Sequence, residues 1–83
     1  MAKVTIYSRS WCPYCKQAIS LLESQGIDYN TIDIEDHPEK RDEMIKLTGR
    51  TSVPQVFIDD QAVGGCDDLF ALHSSGKLTT LLA

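Results

Sequence analysis

The stretch KVTIYSRSWCPYCKQAISLLESQGIDYNTIDI, residues 3–34, decides the fold. KVTIY (3–7) is a short β-prone run. From Pro13 to Gln25 the apolar spacing becomes helical: Cys15, Ile19 and Leu22 share a face, joined by Ala18. Gly26 is placed to end that helix in a left-handed cap. DYNTIDI (28–34) then alternates through Tyr29, Ile32 and Ile34 as a second strand. A strand–helix–strand unit of this length implies a right-handed crossover and a parallel strand pair.

Working outward, Asp36 and Glu39, with Pro38 in the first turn, open a second helix. Its inner stripe is Met44, Ile45, Thr48 and the stem of Arg41, and Gly49 ends it. QVFI (55–58) and AVG (62–64) flank Asp59-Asp60-Gln61 closely enough to demand a hairpin. Asp67 and Asp68 open a third helix carrying Leu69 and Leu72, which Gly76 stops. LTTLL (78–82) is a final short helix or turn. The expected order is β-α-β-α-β-β-α: one α/β domain over residues 1–83, with a mixed four-stranded sheet and helices on both faces.

Composition narrows the function. The 83 residues are 42% hydrophobic and 24% charged, so the chain is globular rather than disordered, but close to the size at which one core barely outweighs chain entropy. A net charge of −4 without a basic block argues against nucleic acid. Charge is nevertheless uneven. Residues 1–22 hold Lys3, Arg9 and Lys16 and no acid, whereas all twelve acids lie beyond. No apolar run suggests a leader or a membrane span, so a cytoplasmic address and no membrane partner are expected. Three cysteines are too few, and odd in number, for a disulfide scaffold. A structural zinc site wants four ligands, and one C-x-x-C with His37 and His73 far apart does not supply them.

Exchange chemistry fits better. Cys12 falls where the first strand meets the first helix, and the free amides of a helix opening favour an anion on its sulfur. Arg9 and Lys16 add positive charge nearby, and Pro13 suits the first helical position. Cys15, one turn further in, lies on the apolar face. The expectation is an exposed thiolate at Cys12 and a protected thiol at Cys15. A stabilised thiolate gains little in attack, because its larger ionised fraction is offset by lower nucleophilicity; it gains as a leaving group from a mixed disulfide.

CPYC (12–15), RTSVPQVFI (50–58) and GGCDDL (64–69), in this order and spacing, resemble the glutaredoxins, most of all the short bacterial dithiol type, across essentially the whole chain. The resemblance implies a thioredoxin-like fold and a glutathione-dependent disulfide oxidoreductase using Cys12 and Cys15. It implies a cis Pro54 facing the thiols, with the Val53 backbone offered to substrate. The Gly64-Gly65-Cys66-Asp67-Asp68 segment would receive the γ-glutamyl end of glutathione: amides of Cys66 and Asp67 for its carboxylate, the Asp67 side chain for its ammonium, and Gly65 for close approach. Arg9 and Arg41 stand where the family places groups for the glycine carboxylate, with Arg50 at the groove edge and Tyr14 as a wall of the thiol site.

Glutathione is thus the expected co-substrate, with no bound cofactor and no metal. Partners are disulfide-bonded or glutathionylated proteins, and the protein is expected to be a monomer. The family serves ribonucleotide reductase and sulfate-reducing enzymes, and nothing in the sequence selects between them. The alternative is a [2Fe–2S] carrier in which Cys12 of two subunits and two glutathiones ligate the cluster; Pro13 stiffens the turn against it. Trp11 has no assigned chemistry and is read as surface or partner contact. Cys66 is read as a buried, inert thiol.

Overall fold

A computed structural model describes residues 3–82. Its elements are β1 (Val4–Ser8), α1 (Pro13–Ser24), β2 (Asn30–Asp33), α2 (Pro38–Thr48), β3 (Gln55–Ile58), β4 (Gln61–Gly64), α3 (Cys66–Ser74) and α4 (Lys77–Leu82). The sheet runs β2-β1-β3-β4. β1 and β2 are parallel, as the length of the crossover requires, and the β1–β3 and β3–β4 pairs are antiparallel. This is the thioredoxin-like arrangement that the sequence implies.

Strand alternation sorts side chains into two layers. Val4 and Ile6 of β1 and Val56 and Ile58 of β3 meet Ala18, Leu21 and Leu22 of α1, Leu69 of α3 and Leu78 of α4. On the opposite face Tyr7 and Phe57 meet Ile34 and Met44 of α2. The Tyr7 and Phe57 rings sit edge to face, 5.5 Å apart. β3 is buried along its whole length, as a central strand covered on both faces must be. Tyr29 departs from the sequence reading. It packs in the first layer, whereas Ile32 packs in the second. Tyr29 lies just before β2, outside the alternation that the strand imposes on Ile32.

The helix ends follow local chemistry. Pro13 occupies the first turn of α1, and Cys12 is its N-cap. At the other end Gly26 takes φ +67°, while the amides of Gly26 and Ile27 reach back to the Glu23 and Leu22 carbonyls. α2 starts one residue later than expected: His37, not Asp36, is the N-cap, and it makes no side-chain capping bond. The turn before it is held by Asp33, whose carboxylate accepts from the amides of Glu35 and Asp36 at 2.8 and 3.3 Å. Of the expected inner stripe only Met44 is fully buried; Ile45 and Thr48 are partly covered and Arg41 is exposed.

Candidate active site

Cys12 lies in the crease between the start of α1 and the loop before β3. Its sulfur accepts a hydrogen bond from the Cys15 amide at 3.2 Å, filling the N-cap role that an oxygen usually takes. As a thiol it lies 3.8 Å from the Val53 carbonyl, toward which it donates. The expected contrast in exposure is absent: Cys12 is 4% accessible and Cys15 2%. The sulfur is covered because the crease closes over it, while its neighbours Trp11 and Tyr14 stand in solvent.

The asymmetry between the thiols lies in their surroundings instead. Burial pushes the Cys15 thiol up from its ordinary 9.0 to about 12. The hydrogen bond to Cys12 adds to this, and the Arg9 backbone opposes it. Cys15 is therefore a protonated thiol at neutral pH, one helical turn behind a sulfur that receives an amide. Cys66 is also raised, first by burial and then by the negative charge of Asp67. Its sulfur lies 3.9 Å from Gln17 Oε1. All three cysteines are free.

Beside Cys12 runs a groove of about 270 Å³. Tyr14 forms one wall, the 50–55 loop another, and the start of α3 the third. The Val53–Pro54 bond is cis. Because α3 begins at Cys66, the amides of its first turn have no intrahelical acceptor and face a ligand or water. A methyl group on Gly65 would already touch the Pro54 carbonyl oxygen at 3.4 Å, which shows how closely the two walls approach. The structure thus gathers Tyr14, Val53, Pro54, Gly65, Cys66 and Asp67 into one groove.

Arg9 and Arg41 are not in its lining. Arg9 stacks on Trp11, its guanidinium carbon 4.6 Å from the ring centroid, and Arg41 is exposed on α2. The cation in the lining is Arg50. Arg50 bridges to Asp68 at 3.2 Å, and the same Asp68 oxygen accepts from the Gly65 amide at 3.0 Å. These bonds, the backbone one foremost, hold the Asp68 carboxyl below its ordinary value. Gly64, at φ +121°, makes room for that carboxylate.

Ser52 and Gln55 belong to the lining and were not singled out from the sequence, and Asp68 was named only as part of the 64–68 segment. Gln55 is fully buried and donates to the Ser52 carbonyl at 3.0 Å, so it braces the loop from beneath. Nothing in the sequence pairs Arg50 with Asp68 across 18 residues. A larger hollow of about 570 Å³ lies on the α2 side, among Tyr7, Lys40, Glu43 and Phe57, and holds no cysteine. Among the described residues no three of His, Cys, Asp and Glu group closely enough to hold a metal ion.

Residues 4–63 match the glutaredoxin family model. The chain belongs to the glutaredoxin family. It is 52% identical to glutaredoxin 3 of Escherichia coli K12 over 82 residues, covering 99% of each chain. The solution structure of glutaredoxin from Brucella melitensis is 50% identical, with a TM-score of 0.87 over 99% of this chain and 89% of that one. The crystal structure of a buckwheat glutaredoxin–glutathione complex is 31% identical, with a TM-score of 0.90 over 98% of this chain and 76% of its own.

Proposed function

We propose that this glutaredoxin reduces protein–glutathione mixed disulfides and protein disulfides, with glutathione as electron source. The observation that carries the reading is the join between the Cys12 sulfur and the groove: Val53 touches that sulfur and also lines the pocket. A tripeptide extended along this loop would meet backbone groups of Val53 at its middle and the amides of Cys66 and Asp67 at its γ-glutamyl carboxylate. Asp67 suits the ammonium. Arg50, rather than Arg9 or Arg41, is the groove's cation for the second carboxylate. The bound glutathione in the buckwheat complex supports assigning the groove to that ligand.

In the first half-reaction the Cys12 thiolate attacks the glutathione sulfur of a mixed disulfide. The Cys12–glutathione bond forms, the glutathione–protein bond breaks, and the protein leaves as a thiolate that takes up a proton. A second glutathione, as thiolate, attacks the glutathione sulfur held on Cys12, giving glutathione disulfide and restoring Cys12. On a protein disulfide, Cys12 forms the mixed disulfide and Cys15 attacks the Cys12 sulfur. The substrate then departs with both its sulfurs reduced, and two glutathiones reduce the Cys12–Cys15 bond.

Cys15 must lose its proton for that attack. Once Cys12 is bonded to substrate it carries neither charge nor thiol proton, so two of the influences holding Cys15 up fall away and burial remains. Resolution is thereby held back until the mixed disulfide exists.

Both routes are tested by reduction of the mixed disulfide of glutathione and a small thiol, coupled to glutathione reductase, beside reduction of a protein disulfide. Cys12→Ser is expected to lose both activities. Cys15→Ser is expected to lose only the protein disulfide. Equal loss of both in Cys15→Ser would refute the assigned roles. We read the protein as cytoplasmic and monomeric; among the described residues no helix is long and apolar enough to cross a membrane.

A further inference from the structure

Among the described residues, the most exposed large apolar side chains flank the nucleophile. Trp11 is 65% and Tyr14 60% accessible, on either side of a cysteine that is 4% accessible. Neither aromatic contributes to the two core clusters. Tyr14 forms part of the groove, but Trp11 does not, so a ligand confined to the groove does not engage the indole. Two bare rings beside a reactive atom are costly to keep in water unless something covers them during turnover.

We propose that Arg9, Trp11 and Tyr14 form a docking platform for the protein half of a glutathionylated substrate, one that selects segments with acidic side chains near the oxidised cysteine. The inference rests on the assignment of the groove to glutathione. Trp, Tyr and Arg are the side chains that dominate binding energy at protein interfaces, and here they occupy adjoining positions around the reacting sulfur. Arg9 lies over Trp11, its guanidinium carbon 4.6 Å from the ring centroid, and a guanidinium held there can receive a carboxylate with two hydrogen bonds.

Charge supplies the occupant's sign. The segment of sequence that supplies Arg9, Trp11, Cys12 and Tyr14, residues 1–22, has Lys3, Arg9 and Lys16 and no acid, in a chain whose net charge is −4. An acidic segment is drawn to this face and repelled elsewhere, whereas a basic one is drawn to the wrong parts of the surface. Arg9 has no carboxylate partner among the described residues, so its charge is available.

The part of the platform outside the groove, Arg9 over Trp11, holds only the group that leaves in the first half-reaction. Its effect therefore falls on the kcat/KM of the glutathionylated substrate and not on the dependence on glutathione, which enters in the second half-reaction. That separation makes the proposal testable. Two glutathionylated peptides, identical except for acidic or basic residues flanking the cysteine, are compared with the mixed disulfide of glutathione and 2-mercaptoethanol, all coupled to glutathione reductase.

The wild type is expected to favour the acidic peptide by roughly tenfold at low salt, and less in 0.5 M NaCl. Trp11→Ala is expected to lower kcat/KM for that peptide by roughly five- to tenfold, leaving the small disulfide and the KM for glutathione unchanged. Arg9→Lys, which keeps the charge and loses the planar fork, is expected to fall between the two. A wild type that is active on the small disulfide but blind to peptide charge overturns the platform alone, as does a Trp11→Ala that slows the small disulfide equally. A wild type inactive on the small disulfide overturns the glutathione assignment and the platform with it.

Discussion

Replacing Gly64 by alanine tests the construction of the groove. Gly64 sits at φ +121°, a conformation that side chains rarely adopt, and forcing alanine into it costs about 1–3 kcal/mol. The new methyl would lie 2.7 Å from Asp68 Cγ and 2.8 Å from its Cβ, closer than carbon atoms approach. Because Cβ is fixed to the helix, a change of rotamer does not relieve the contact, and the start of α3 must shift. That movement sacrifices the Asp68 bonds to the Gly65 amide at 3.0 Å and to Arg50 at 3.2 Å.

The amide bond contributes about 1 kcal/mol and the half-exposed ion pair ~0–1 kcal/mol. The sum is about 2–5 kcal/mol, which for a domain of this size lowers the melting temperature by roughly 8–40 °C. The assay is urea and thermal unfolding followed by far-UV circular dichroism. Gly49→Ala is the control: φ is +71° and nothing lies within 4 Å of the added methyl, so only the backbone cost of about 1 kcal/mol remains. The folded fraction of Gly64→Ala should also bind glutathione more weakly, since the amides of α3 are displaced. A loss no greater than that of Gly49→Ala would refute the role given to Asp68.

Further outcomes follow from the same geometry. Asp68→Asn should lower stability at pH 7. The wild-type carboxyl titrates below its ordinary 3.8, so its contribution is complete above the unfolded value and disappears as pH falls through the depressed folded one. The difference between the two proteins in urea should therefore vanish in strong acid, and a gap that widens there would contradict the assignment. Alkylation by iodoacetamide at pH 8, mapped by mass spectrometry, should spare Cys15, whose thiol is pushed up to about 12, and Cys66, which is also raised. Modification of Cys15 ahead of Cys12 would reverse the roles of the pair. Met44→Ala removes the fully buried side chain by which α2 seals the second layer, and should cost about 2–5 kcal/mol in urea unfolding. A cost under 1 kcal/mol would mean that α2 is not anchored there.

Much of this fold was legible because its information is local. The change from strand to helical spacing around Pro13, the left-handed glycines at 26, 49 and 76, and the Asp59-Asp60 hairpin are each specified by a few neighbouring residues. The errors were local competitions decided by packing. Asp33 rather than Asp36 holds the turn before α2, and Tyr29 turns to the opposite face from Ile32. The site was legible in its motifs but not in its shape. Arg9, read from the sequence as a group for a glutathione carboxylate, lies outside the groove lining and over Trp11, a rotamer choice that spacing cannot encode.

The sequence by itself determined the order of elements, the placing of a C-x-x-C pair at a helix opening and the family to which these belong, because periodicity, capping and turn chemistry act over a few residues. Only the tertiary structure decided that the Cys12 sulfur is covered, that Arg50 reaches Asp68, and that residues near 14, 50–55 and 65–68 share one groove. Those facts depend on how distant segments approach once two apolar layers close over the sheet, and burial then changes the meaning of each thiol and charge it encloses.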